Sequence, residues 1–79
     1  MKIVIDYHPF VKNQSFQVLN DNNEIVSTGN ISDSSQAIDI IKNFSIKEVV
    51  LRGSKKLSKN FMLDINDECK ELKYTFMKG

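Results

Sequence analysis

The sequence predicts a mixed α/β (α+β) domain built on a single sheet, in the order β-β-β-α-β-α-β. Three observations carry this. The chain has 79 residues, which is room for one domain and not two. Two short runs, Ile3-Val4-Ile5 and Val49-Val50-Leu51, are apolar without alternation, as inner strands are. Two other segments repeat their apolar residues at helical spacing, and each lies between strand-like runs, the pattern of helix-linked crossovers.

Residues 2–7 are β-branched and apolar on both faces, which predicts a central strand covered on both sides. His8-Pro9 ends it, because proline donates no ladder hydrogen bond. Residues 8–14 read as a loop. In residues 15–20, Phe16 and Val18 share a face that Gln17 does not, and residues 24–29 form a second β-prone run. Asn20-Asp21-Asn22-Asn23 lies between them. These residue types tolerate left-handed backbone and bond their own main chain, so the two runs read as a hairpin.

A helix is expected over residues 34–44. Asp33 is a good N-cap and Gln36 stands three residues on, the spacing of a capping box. Ala37, Ile38, Ile41 and Phe44 form its apolar stripe, with Asp39, Lys42 and Asn43 off it. Residues 46–51 read as a second central strand. Arg52-Gly53-Ser54 turns the chain, Ser54 can cap a second helix with Leu57, Phe61 and Ile65 on its core side, and Asn66-Asp67 is its expected end. Residues 71–77 then alternate, Leu72, Tyr74 and Phe76 against Glu71, Lys73 and Thr75, as in a half-exposed last strand.

Composition limits the function classes. Eleven basic and ten acidic residues leave a net charge of +1, too weak a field to argue for nucleic acid or an anionic membrane surface on its own. Cys69 is the single cysteine, so an internal disulfide and a Cys-based zinc site are excluded and a reducing, cytoplasmic setting is expected. No apolar run approaches the roughly 18–20 residues of a membrane span, and the first apolar stretch is too short for a signal peptide. Phe, Tyr, Met, Ile, Asn and Lys make up 37 residues, against 6 of Ala, Gly, Pro and Arg. That bias fits AT-rich codons, and points to a low-GC bacterium or to its phages and mobile elements.

The element order resembles the ribonuclease H-like fold over residues 1–77, with Asp6 near the end of strand one in the place of that family's first carboxylate. The resemblance implies a two- or three-layer sandwich. The family's nucleases hold two metal ions with carboxylates on strand one, on the first helix and at the end of strand four, because paired ions need several negative ligands. Asp39 is on the helix but off its core stripe. Strand four ends in Leu51-Arg52-Gly53-Ser54, without a carboxylate, and Arg52 would repel a metal. The family's ATPases carry a glycine-rich turn after strand one, where this chain has Tyr7-His8-Pro9. The resemblance therefore implies the fold without the activity, and no catalytic residue, metal site or cofactor is assigned. Asp6 is the one weak metal candidate.

Four candidate sites remain, each with a plainer alternative. Asp6 and His8 have the i, i+2 spacing that puts both on one face of a strand, where a carboxylate can orient an imidazole. The alternative is two ordinary surface groups. Arg52, Lys55, Lys56 and Lys59 lie in a stretch free of acids from Val49 to Leu63. Residues 1–46 sum to −2 and residues 47–79 to +3. The opening of a helix favours anions, so this stretch is a candidate anion or nucleic-acid contact. The alternative is a solvated face, since lysine at a helix start opposes the dipole, and the phosphate-loop spacing is absent. Cys69 reads as a small buried hydrophobe. Phe10, in the loop with His8 and Val11, is either a core residue or an exposed contact for a partner. The leading expectation is a small protein-binding module that docks through this loop and an open strand edge. A nucleic-acid-binding module using residues 52–59 comes second and a degenerate metal-dependent nuclease third. A homodimer is compatible with a thin domain that gains by covering an edge.

Overall fold

A computed structural model gives the architecture. It describes residues 1–8, 10–53 and 55–77, and all of their side chains except those of Lys55 and Leu57. The elements follow the expected order: β1 (Lys2–Asp6), β2 (Gln14–Leu19), β3 (Ile25–Ile31), α1 (Ser34–Asn43), β4 (Glu48–Arg52), α2 (Lys55–Glu68) and β5 (Lys73–Met77). All five strands join one mixed sheet in the order β3-β2-β1-β4-β5. β1, β2 and β3 form an antiparallel meander, and β4 and β5 run parallel to β1.

The topology decides where the helices lie. Both helical crossovers, β3 to β4 and β4 to β5, travel in the same direction across the sheet. Crossovers of one hand then put both helices on one face. The core agrees with this. Ile3, Ile5, Phe16, Val18, Val49 and Leu51 from the sheet share one buried cluster with Ala37 and Ile41 of α1 and Phe61 and Ile65 of α2. Partly buried Leu72, Tyr74 and Phe76 extend the cluster towards β5. The result is a two-layer sandwich of sheet and helices.

The expectation that β1 is covered on both sides needs correction. Val4 and Val50 point away from the helices, and no described helix lies over them. They are nevertheless only 9% and 5% exposed. They pair in register, with Gln17 and Thr75 on either side in the same cross-strand row. An apolar pair flanked by polar neighbours in the same cross-strand row therefore mimics, in sequence, a strand buried on both faces.

Local signals explain most element ends. In the hairpin, Asn20 Oδ1 accepts from the backbone N–H of Asn22 at 2.9 Å and of Glu24 at 3.0 Å, and Asn23 takes the left-handed conformation (φ 62°). At α1, Asp33 Oδ1 accepts from Gln36 N–H at 3.0 Å. Gln36 Oε1 in turn accepts from Ser32 N–H at 2.7 Å, one residue earlier than a capping box would have it. The C-terminus of α1 closes in a Schellman motif: Ile46 N–H donates to Ile41 O at 3.0 Å and Ser45 N–H to Lys42 O at 3.4 Å, with Ser45 at φ 52°. Ile46 is used in this cap, so β4 starts two residues later than the apolar run suggests. α2 continues through Asn66-Asp67 to Glu68. The expected cap at Ser54 and the Leu57 side chain lie outside the described residues.

Candidate partner-binding surface

Parallel strands share an end, and that brings together segments far apart in sequence. β1, β4 and β5 finish side by side, with Asp6 opposite Arg52 and Arg52 opposite Met77. The ladder runs one step further, through Tyr7 N–H to Arg52 O at 2.8 Å and Gly53 N–H to Met77 O at 2.9 Å. The chain leaving β1 is the loop with His8, Phe10 and Val11. The chain leaving β4 is Gly53 and then α2, whose first two turns carry Lys55, Lys56 and Lys59. Both candidate segments from the sequence therefore occupy the same end of the domain.

Close packing holds this end together. Gly53 has φ +127°, and a Cβ there would stand 2.5 Å from Tyr7 O, so the crossing of the two strand ends requires glycine. The Tyr7 ring tilts against Phe61 of α2, with centroids 5.2 Å apart. β1 and α2 are thus tied together directly beneath the loop.

The loop itself is stapled by one side chain. Gln14 is in phase with Phe16 and Val18 on the buried face of β2, and is only 7% exposed. Its amide is largely withdrawn from solvent and is satisfied by the loop backbone. Gln14 Oε1 accepts from His8 N–H at 2.6 Å, while Gln14 Nε2 donates to His8 O at 2.9 Å and to Val11 O at 3.3 Å. Val11 N–H also donates to His8 O at 3.1 Å, which closes the turn that carries Phe10. At its tip Phe10 is 93% exposed and Val11 is 52% exposed. Core burial, the alternative for Phe10, is excluded by this placement. The role of Gln14 was readable in principle, since a polar residue in phase with Phe16 and Val18 marks a buried amide in need of partners.

Asp6 and His8 are not a working pair. β1 stops at Asp6, so the alternation that would align them does not reach His8, whose backbone is committed to Gln14. The partner of Asp6 is Arg52, with Arg52 Nε 2.7 Å from Asp6 Oδ1, and Ser15 Oγ donates to Asp6 Oδ2 at 3.4 Å. The carboxylate offered as a metal candidate is neutralised by a guanidinium. Among the described residues no group of three or more His, Cys, Asp or Glu side chains is placed to hold a metal ion.

Charge is unevenly divided between the two ends. At the loop end stand Lys12, Arg52, Lys55, Lys56 and Lys59. Among the described residues the acids at this end are Asp6, which is paired with Arg52, and Asp33, which caps α1, while Asp39 and Asp64 lie further along the two helices. Lys56 and Lys59 are exposed, and three residues apart they share a side of α2. Asp21, Glu24, Glu48, Asp67, Glu68 and Glu71 belong to the opposite end.

Two shallow hollows also lie at that opposite end. One, of about 190 Å³, is lined by polar groups that include Lys2, Asn20, Asp21 and Glu48. The other, of about 290 Å³, has Cys69 in its wall with Lys42, Lys47 and Lys70, but no histidine or second thiol to activate it. Cys69 is half-buried against the core. Beside it, burial pushes the pKa of the Tyr74 hydroxyl above its ordinary value of 10.0, and the neighbouring Cys69 adds to the shift. No described helix is long and apolar enough to cross a membrane.

Fold and surface together define a small α/β sandwich that presents a stapled apolar turn beside a lysine-bearing helix start. Compared with protein-family models and with curated proteins, the chain matches none.

Proposed function

We propose that this chain is a small non-catalytic protein-binding module that docks through the turn at residues 8–11. One observation carries the reading: Phe10 is 93% exposed on a loop whose backbone makes three hydrogen bonds with the Gln14 amide. Fully burying a phenylalanine contributes about 1.5–3 kcal/mol, and backbone hydrogen bonds made before binding reduce the entropy lost in it. Rigidly presented aromatics are the usual anchors of protein interfaces. AT-rich coding fits a cytoplasmic phage or mobile-element protein that acts on a host or self protein. The mixed sheet with its two parallel crossovers supports the resemblance to the ribonuclease H-like fold, and the Asp6–Arg52 pair supports a version of it without metal chemistry. The test is affinity capture from a low-GC bacterial lysate on the full chain and on Phe10→Ser. A stoichiometric partner held by the first and lost by the second is expected. No partner, or equal retention by both, refutes the reading.

Exposed Lys56 and Lys59 at the start of α2 favour a second reading, a nucleic-acid contact that includes Arg52 and Lys55. It requires binding to DNA or RNA that falls steeply with salt and weakens on Lys55→Glu plus Lys56→Glu. Against it, the guanidinium of Arg52 is already engaged by Asp6.

A further inference from the structure

The turn at residues 8–11 and the opening of α2 share one end of the sheet, and this juxtaposition says what kind of protein would fit there. We infer that the partner surface is acidic and carries an apolar pocket: Phe10 and Val11 enter the pocket while Lys12, Lys56 and Lys59 face carboxylates around it. The inference rests on the docking reading above and adds the chemistry of the partner.

Two observations lead to it. Phe10 and Val11 are both exposed on the turn, with Met77 also exposed at this end of the sheet, so the turn offers an apolar knob, and a knob needs a concave, apolar counterpart. The charge around it is mostly basic. Both acids at this end, Asp6 and Asp33, are occupied within the chain by Arg52 and by the N-terminus of α1, whereas Lys56 and Lys59 stand exposed. Basic groups around an apolar centre steer an acidic partner and reject a basic one.

The same observations favour protein over single-stranded nucleic acid. Stacking platforms use several aromatic faces along a groove. Here Tyr7, the nearest other aromatic in sequence, is turned against Phe61, and Val11 has no π-face to offer a base.

The experiment uses the full chain as bait for a displayed random-peptide library, counter-selected on Phe10→Ala. The most enriched peptide is then synthesised with its acids intact and with Asp and Glu replaced by Asn and Gln. Poly-dT and poly-U oligonucleotides are titrated in parallel by fluorescence anisotropy. Enriched peptides with net negative charge and an aliphatic or aromatic cluster are expected. Their affinity should fall about tenfold in Lys56→Glu plus Lys59→Glu, and similarly when the peptide acids are made amides, with most of the change in the association rate and lost at high salt. Enriched peptides that are neutral or basic overturn the acidic-partner inference and leave the docking reading standing. If no peptide is enriched, or if the oligonucleotides bind and lose affinity in Phe10→Ala, both fail. Unchanged thermal unfolding of the variants shows that any loss belongs to the surface and not to the fold.

Discussion

Gln14 closes a two-way hydrogen-bonded ring with the backbone of His8: His8 N–H reaches Gln14 Oε1 at 2.6 Å, and Gln14 Nε2 returns to His8 O at 2.9 Å. A side-chain amide thus does for this turn what a neighbouring strand does for a ladder. It also fixes the direction in which Phe10 leaves the domain. Gln14→Met keeps the volume and removes the amide, which leaves His8 N–H without its acceptor. A part-buried donor left unmade costs about 1–3 kcal/mol. Urea unfolding should show that loss, and hydrogen exchange at the His8 amide should accelerate. Gln17→Met, on the exposed side of β2, should stay within about 0.5 kcal/mol of the parent.

Gly53 is the tightest point of the fold. A methyl group at φ +127° is strained whatever the space, and here it would also stand 2.5 Å from Tyr7 O, a backbone atom that cannot swing away. Gly53→Ala should cost at least about 2 kcal/mol, a fall in Tm of roughly 8–16 °C for a domain of this size. Gly29→Ala is the control. Its Cβ would meet only the ring edge of Phe16, at 3.1 Å, and a side chain can shift. Scanning calorimetry should rank Gly53→Ala well below Gly29→Ala.

Ser45 presents the opposite case. It holds the left-handed position that closes α1 (φ 52°), where glycine is the usual residue. Removing its Cβ relieves strain, while the unfolded chain gains freedom and offsets part of the benefit. Ser45→Gly should therefore raise stability by about 0.5–1 kcal/mol, read as a higher urea midpoint with an unchanged slope.

The features legible in the sequence are those decided within a few residues. Asp33 and Gln36 announce α1 because a cap is built from neighbours, and Asn20 to Asn23 announce the hairpin because those side chains bond their own backbone. The end of α1 falls within a residue of its expected place, but Ser45 hides the cap that follows it, since serine carries no signal for φ > 0, and β4 therefore starts later than its apolar run suggests. Val4 and Val50 mislead because two apolar residues can shelter each other across strands without a helix above them. The candidate surface was legible only in parts. Phe10 and the lysines of residues 52–59 stand out singly, but their neighbourhood depends on β4 pairing parallel to β1, a contact some 46 residues apart in the chain. Asp6 looked like a free carboxylate for the same reason: its partner Arg52 arrives through the sheet and not through sequence.

That pair gives a further measurable expectation. Arg52 Nε and Asp6 Oδ1 are 2.7 Å apart, yet both side chains remain partly in solvent, so screening keeps the interaction small. A double-mutant cycle of Asp6→Asn and Arg52→Gln should give a coupling of about 0.2–1 kcal/mol that shrinks in high salt. Addition of Mg²⁺ should leave the Tm of the parent unchanged, because the carboxylate is already neutralised. A Mg²⁺-dependent rise abolished by Asp6→Asn would restore Asp6 as a metal ligand.

Tyr74 connects the last strand to pH. Its hydroxyl is buried beside Cys69 with no hydrogen-bond partner among the described residues, and burial raises its pKa above 10.0. The sign follows from the linkage of protons to folding. The folded chain holds the tyrosine proton more tightly than the unfolded chain does. The stability tied to the neutral hydroxyl is therefore fully present below the unfolded value of about 10, and is lost as pH rises through the higher folded value. Tyr74→Phe removes both the titration and the unmade hydrogen bond while keeping the ring against the core. At neutral pH it should be neutral or stabilising by up to about 1 kcal/mol. Above pH 10 the advantage of Tyr74→Phe over the parent should widen steadily in urea midpoints taken at successive pH values. A constant difference across that range would mean that the hydroxyl ionises as freely in the folded chain as in the unfolded one, and that the buried, unpartnered geometry of Tyr74 is wrong.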